Sequence, residues 1–306
     1  MRVHSTEQSA GIIINTNLYT SFRKEIIMIR ILVDSSADYT MAELAENGFD
    51  FVPFPVTLND KTYFDTVELD RNDMYEFLLQ GDNFPKTSQP SPEAFAEIFE
   101  DAKAKGDEII CILLSSDLSG TCQSAFLAKN IVDYDKIYII DSLTATFPIR
   151  ILADHAATLR SQGKSAEEIV NAVEDLKART KVIASLDTLE YLYRGGRLSR
   201  TSASIGNLVS LKPVITIAED GSISILAKPI GKNKAYSTLL KHLEEHPIDS
   251  DFPVYSIYTY GLENCEKLEA KLTKAGIPFK KRLQVGCSIG AHIGPGTVGI
   301  VYVEKI

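Results

Sequence analysis

The sequence predicts an α/β protein of two lobes, a parallel-sheet lobe followed by a mixed-sheet lobe. Three observations predict it. From residue 29 to residue 179, short apolar runs alternate with longer helical stretches, the pattern of parallel strands joined by crossover helices. Further on, Glu219-Asp220-Gly221 stands between Val214–Ile217 and Ser222–Ala227, a hairpin signal that brings in antiparallel pairing. The chain has 306 residues, more than one hydrophobic core readily fills.

The elements follow in order. Ile29–Val33 is an apolar strand that ends in Asp34-Ser35-Ser36, with a helical stretch at Met41–Glu46. Phe49–Val56 is a strand whose Pro53 and Pro55, lacking an N–H, place it at an edge. Asp70–Leu79 is helical. Pro85 to Pro92 is a proline-punctuated loop in which Ser91 caps, and Pro92 opens, a helix to about Lys105. Glu108–Leu114 is a buried strand, and Ser115 to Thr121 a polar turn into a helix reaching Asn130. Lys136–Ile140 is a strand, and Ala145–Ser161 and Ser165–Arg179 are helices. We place the lobe boundary at residue 178, giving lobes 28–178 and 179–306.

Beyond it, Lys181–Ser185 is a strand and Asp187–Tyr193 a short helix broken by Gly195-Gly196. The hairpin comes next. Val254–Tyr258, Lys280–Val285 and Val298–Val303 are strands, and Asn233–Glu245 and Glu263–Ala275 helices. Residues 1–27 hold one short apolar cluster, Ile12–Ile14, too short for a signal peptide. We expect the natural start at Met28, with 1–27 an extension outside the fold; N-terminal sequencing of the native protein is the check.

Composition excludes several functions. Hydrophobic residues are 44% and charged residues 24%, which rules out a disordered chain, a collagen and a coiled coil. Net charge is −9, so binding a phosphate backbone gains no counterion release, and neither nucleic acid nor an anionic membrane surface is an expected partner. No apolar stretch approaches the roughly 18 residues of a membrane span. The four cysteines form no C-x-x-C pair, as expected of reduced thiols in a cytoplasm.

Three motif matches fail on context. Gly286-Cys287-Ser288-Ile289-Gly290 fits G-x-S-x-G, but the glycines and Pro295 that follow argue against the helix a nucleophile elbow needs. No Asp follows Asp251 either. Gly294 to Gly299 fits G-x-G-x-x-G, yet the chain ends too soon for a dinucleotide fold, so it is a turn before a last strand. His242-Leu243-Glu244-Glu245-His246 fits a zinc motif, but Pro247 marks a helix end and no third ligand follows on a partner helix.

Three polar segments remain: Thr87-Ser88-Gln89-Pro90-Ser91, Ser115 to Thr121, and Ser288 to Gly296 with His292. Turns and caps explain such clusters as a rule. Two of these, however, open onto helix N-termini, where N–H groups favour an anion, and the third sets a histidine among glycines. Together they suit a carboxylate or phosphate held by neutral donors.

At these residues the sequence resembles the DegV family of bacterial proteins. The matching segments, in family order, are Asp34-Ser35-Ser36-Ala37-Asp38, Thr87 to Pro92, Ser115 to Thr121, Asp141-Ser142, Leu186 to Leu192 with Arg194-Gly195-Gly196-Arg197, and His292 to Gly296. They cover the chain from about Met28 to its end. The resemblance implies one two-lobed DegV domain with a long-chain fatty acid buried between the lobes. It implies a non-enzymatic, cofactor-free carrier subunit of a bacterial fatty acid kinase. A separate kinase subunit phosphorylates the presented carboxylate to an acyl phosphate for phospholipid synthesis. By position it places Thr87, Ser88, Ser119, Gly120, Thr121 and His292 at the carboxylate, which hydroxyls and an imidazole would hold without an ion pair.

Basic residues concentrate between positions 194 and 234. Solvated surface explains such a run; the sharper reading makes Arg194, Arg197, Arg200 and Lys228 a docking face for the kinase. Arg197 has a structural alternative, folded inward by the double-glycine turn. Two other functions compete: an acyl hydrolase or transferase using Ser119 or Ser288 with His292, and a polar-ligand regulatory module on the same fold.

Overall fold

A computed structural model describes residues 28–81, 84–198 and 210–305; Arg200, one of the expected docking residues, lies outside them. The first lobe runs β1 (Ile29–Asp34), α1 (Met41–Asn47), β2 (Phe49–Val52), β3 (Pro55–Leu58), β4 (Lys61–Phe64), α2 (Arg71–Leu79), β5 (Lys86–Thr87), α3 (Pro92–Lys105), β6 (Glu108–Leu113), α4 (Thr121–Val132), β7 (Ile137–Asp141), α5 (Phe147–Ser161) and α6 (Ala166–Lys177). The second runs β8 (Thr180–Ser185), α7 (Glu190–Arg194), β9 (Val214–Ile217), β10 (Ile223–Ala227), α8 (Lys232–Glu245), β11 (Tyr255–Tyr258), α9 (Glu263–Lys274), β12 (Lys281–Gln284), α10 (Cys287–Ile293) and β13 (Val298–Val303).

The first sheet has order β2-β1-β6-β7 and is parallel throughout. The second has order β10-β9-β8-β13-β11-β12; its β11–β12 pair is parallel and the other pairs antiparallel. This is the expected α/β architecture. Local signals start the helices as the sequence suggests. Ser91 accepts from Ala94 N at the head of α3, with Pro92 in its first turn, and Thr40 with Glu43 and Ser165 with Glu168 form capping boxes on α1 and α6.

Period-two alternation splits the first sheet between two cores. Leu32, Cys111 and Leu113 pack toward Phe95 and Phe99 of α3 and Ala125 of α4. Ile31, Val33, Ile110 and Ile112 face the other way, toward α5 and α6. That second core does not stop at the first lobe: through Ile149, Leu152 and Ala153 of α5 it continues to Val182, Ala184, Ile257 and Val301 on the second sheet. Helices α8 and α9 cover the second sheet's far face at Ile183, Ile300 and Tyr302.

Several expectations need correction. Phe49–Val56 is two strands, broken at Pro53: β2 edges the parallel sheet, and β3 joins a third, antiparallel sheet of order β4-β3-β5. Neither β4 nor β5 was anticipated, because Lys61–Phe64 is mostly exposed and two residues carry no periodicity. Glycines do not prevent a helix after Gly286, since α10 forms there. The hydrolase motif therefore loses that objection, although His292 sits on the same short helix as Ser288 rather than on a separate element. His242 and His246 stack with ring centroids 4.2 Å apart, and His246 bonds Glu304 at 2.7 Å. No cluster of His, Cys, Asp or Glu among the described residues is arranged to hold a metal ion. The four cysteines are buried free thiols. No described helix is long and apolar enough to cross a membrane.

Candidate functional site: an apolar cavity with a hydroxyl–imidazole head

A cavity opens between the two main sheets, lined mostly by apolar side chains with a few polar groups among them. Strand register builds its floor. Ile215 of β9, Ala184 of β8, Gly299 of β13 and Ile257 of β11 are paired in one row across the second sheet. The two smallest residues, Ala184 and Gly299, stand mid-row. Gly299 has no alternative, as a Cβ would lie 2.5 Å from Ile183 O and 2.9 Å from Ala184 Cβ. Val182 extends the floor along β8, and the paired Ile217 and Ile223 extend it along the β9–β10 hairpin. Phe54, Leu114, Leu118 and Ala145 face it from the first lobe.

Polar groups gather around His292. Thr87 is on β5, paired with Val56, and Ser88 N donates to Pro55 O at 3.0 Å. His292 Nε2 and Thr87 Oγ1 are 2.7 Å apart. Burial, with Arg197 adding to it, pushes the imidazole pKa down to about 4, so the ring is neutral at pH 7. Its Nδ1 is buried without a hydrogen-bond partner among the described residues and lies against Gly195, where a Cβ would stand 2.1 Å away. Ser119 Oγ bonds Thr121 Oγ1 at 2.8 Å. The Ser115 loop is set by Ser115 Oγ, which donates across the lobes to Gly221 O at 3.0 Å.

The expected head-group residues separate into two kinds. Thr87, Ser88, Ser119 and His292 line the cavity; Gly120 and Thr121 do not. Gly120 leads into α4, and a Cβ on it would fall 1.9 Å from Gln89 Oε1. Gln89 in turn donates to Ser124 Oγ at 2.9 Å. Gly120→Ala is accordingly expected to displace Gln89, break that bond and cost about 1 kcal/mol in urea unfolding; an unchanged midpoint would count against the contact. Gln89, Thr146, Ser288 and Arg197 also line the cavity. An ion-pair partner is thus present after all. Arg197 Nε donates to Leu118 O at 2.9 Å and Nη1 to Gly195 O at 2.6 Å, so the double-glycine turn folds it inward. Arg194 is exposed, over the Phe84 ring at 4.9 Å, and Lys228 is exposed.

Behind the cavity wall lies a buried acidic network. Asp38 Oδ1 accepts Gly286 N at 2.8 Å and Oδ2 accepts the Thr146 hydroxyl at 2.5 Å. Thr146 has φ +60°, a costly conformation for a β-branched residue, and it lines the cavity. Burial raises the Asp38 pKa to about 7 against the pull of Arg71, and that of Asp34 to about 6. Asp34 accepts Leu114 N at 2.9 Å, which fixes the end of β6 above the cavity.

A family model described as "Uncharacterised protein, DegV family" matches residues 28–305. The chain belongs to the DegV family. A DegV domain-containing protein from Caldanaerobacter subterraneus subsp. tengcongensis is 37% identical over 279 residues, covering 90% of this chain and 99% of that protein. Among solved structures, a fatty-acid-binding DegV protein from Thermus thermophilus superposes with a TM-score of 0.82 at 29% identity, covering 91% of this chain and 100% of that one. The fatty-acid-binding DegV of Bacillus subtilis gives 0.78 at 30%, covering 91% and 100%. A stearic-acid-binding protein from Eubacterium ventriosum gives 0.82 at 26%, covering 91% and 99%. The fold is that of DegV proteins whose structures are described as binding fatty acids.

Proposed function

We propose that this chain binds a long-chain fatty acid in the inter-sheet cavity and presents its carboxylate to a separate kinase chain, which phosphorylates it to an acyl phosphate. The observation that carries the reading is the pairing of an apolar floor with a neutral hydroxyl–imidazole head. A sixteen-carbon tail offers about 14 methylenes at about 0.8 kcal/mol each, roughly 11 kcal/mol before the costs of association. A polar floor would forfeit that gain; Val182, Ala184, Ile215, Ile217, Ile223 and Ile257 do not.

The head group needs donors where it is desolvated. With His292 neutral, the Nε2–H tautomer donates to Thr87 Oγ1, which frees the Thr87 hydroxyl proton for a carboxylate oxygen. The other tautomer would use that proton on the ring and leave a buried Nδ1–H without an acceptor. Ser88 is exposed and Ser119 half-buried, so a carboxylate here is close to solvent and open to an incoming phosphoryl group. The Arg197 guanidinium is a charge available to the phosphorylated product. Exposed Arg194 and Lys228, with Arg200 nearby in sequence, suit docking of an acidic face of the kinase by charge complementarity.

Native mass spectrometry followed by solvent extraction tests the carrier role. A one-to-one adduct that extracts as a long-chain fatty acid is expected. A protein that is empty and fails to take up added palmitate would overturn it. Thr87→Val should weaken palmitate binding about tenfold, one hydrogen bond to a charged group; titration calorimetry reads it. The presentation role predicts an acyl phosphate, trapped by hydroxylamine as a hydroxamate, with kinase, ATP and Mg²⁺ but not without the kinase.

A further inference from the structure

Helix α10 carries His292, yet it has seven residues and no cap of its own, because its N-cap residue is Gly286. A helix this short is not self-sustaining. The first lobe holds it instead, residue by residue. Arg71 donates to Gln284 O, Tyr75 Oη donates to Val285 O at 2.9 Å, Asp38 accepts Gly286 N at 2.8 Å, and Asp65 Oδ2 accepts Ser288 N at 2.8 Å. Ser288 Oγ donates to the same Asp65 oxygen at 2.5 Å. Asp65 is 1% exposed, and its own N–H donates to Phe54 O at 2.9 Å.

The placement of Asp65 singles it out. It directly follows β4, the strand at one edge of the small β4-β3-β5 sheet; Thr87 is on β5, the strand at the other edge. Ser288 lies one helical turn before His292, on the same face of α10. Both ends of the Thr87–His292 bond are therefore tied to one three-stranded sheet, Thr87 directly and His292 through Ser288 and Asp65.

We propose that Asp65 is a positioning residue of the head-group site: it supplies from the first lobe the cap that α10 lacks, and so sets the His292 ring against Thr87. The inference rests on the fatty-acid reading only for its affinity arm. The ring can be followed with no ligand bound.

Full-length ¹⁵N-labelled parent, Asp65→Ala and Asp65→Asn would be titrated by imidazole NMR, with His292→Asn to assign the resonance, and palmitate affinity measured on each. In Asp65→Ala the loosened helix admits water to the ring, and the His292 pKa is expected to rise from about 4 toward 6.5. Loss of a nearby negative charge alone would lower it, so a rise reports displacement. Palmitate affinity should fall about tenfold, the value of one charge-assisted hydrogen bond. Asp65→Asn keeps an acceptor without the charge and should fall between parent and Ala. An unmoved His292 titration in Asp65→Ala, whatever its melting temperature, overturns the assignment; if that variant does not fold, an unmoved titration in Asp65→Asn does so. A parent that does not bind palmitate would refute the fatty-acid reading and leave the His292 comparison intact.

Discussion

Asp38→Asn is expected to gain stability over the parent as pH rises from 4 to 7, by on the order of 4 kcal/mol. The Asp38 carboxyl is buried among Thr146, Gly286 and Arg71, and its pKa of about 7 lies well above the usual 3.8. Between those two values the unfolded parent has lost the proton and the native protein keeps it. Stability of the parent must therefore fall as pH rises through that window, and level off above it. Asn carries no such proton. Its Oδ1 can accept Gly286 N, its amide can face the Thr146 hydroxyl, and it tolerates the left-handed φ of +58° at this position.

The difference between variant and parent is the quantity to measure. His292 acts in the opposite sense: its pKa is depressed from 6.5 to about 4, so the stability tied to its neutral form is present above pH 6.5 and lost as pH falls through 4. Asp34, raised to about 6, acts like Asp38. Both cancel in the comparison. Urea unfolding at half-unit steps of pH reads the result, and a difference independent of pH would place an ordinary carboxyl at position 38.

Ala184→Phe is expected to lower palmitate affinity by about a hundredfold without lowering the melting temperature. Ala184 lines the cavity floor and is paired with Gly299, which has no side chain to shield it. A benzyl group there occupies the path of the tail and displaces about four methylenes, roughly 3 kcal/mol. The ring points into the cavity rather than into the packed core, so the overpacking cost of an ordinary core substitution is not expected. Thr87, Ser119 and His292 are untouched. Parental affinity in a folded Ala184→Phe protein would move the ligand out of this cavity, whereas loss of both folding and binding would show the floor to be rigidly packed.

That Thr87, Ser88, Ser119 and His292 line one cavity was legible as far as their candidacy goes, because each sits in a short polar segment that interrupts apolar elements, a local contrast. So were the main strands, whose alternation is set by burial on one or both faces. Helix α10 was not, because its stability comes from Asp65, Asp38 and Tyr75, more than 200 residues away in sequence. Gly290, which weakens the helix locally, is the residue that lets the Tyr75 ring approach: a Cβ would lie 2.1 Å from its hydroxyl. The inward turn of Arg197 stood only as an alternative, since the acceptor it reaches, Leu118 O, belongs to the other lobe.

By itself, then, the sequence determined the α/β class, the order of most elements, the capped helix starts and the chemistry available at the polar segments. These depend on periodicity and on neighbours within a few residues. Tertiary structure alone decided that β8, β9, β11 and β13 align small and branched side chains into a floor. It also decided that Thr146 is held at φ +60° by a carboxylate 108 residues away, and that α10 is capped from the opposite lobe. Register and long-range hydrogen bonds are set by how elements pack, and no local window of sequence contains them.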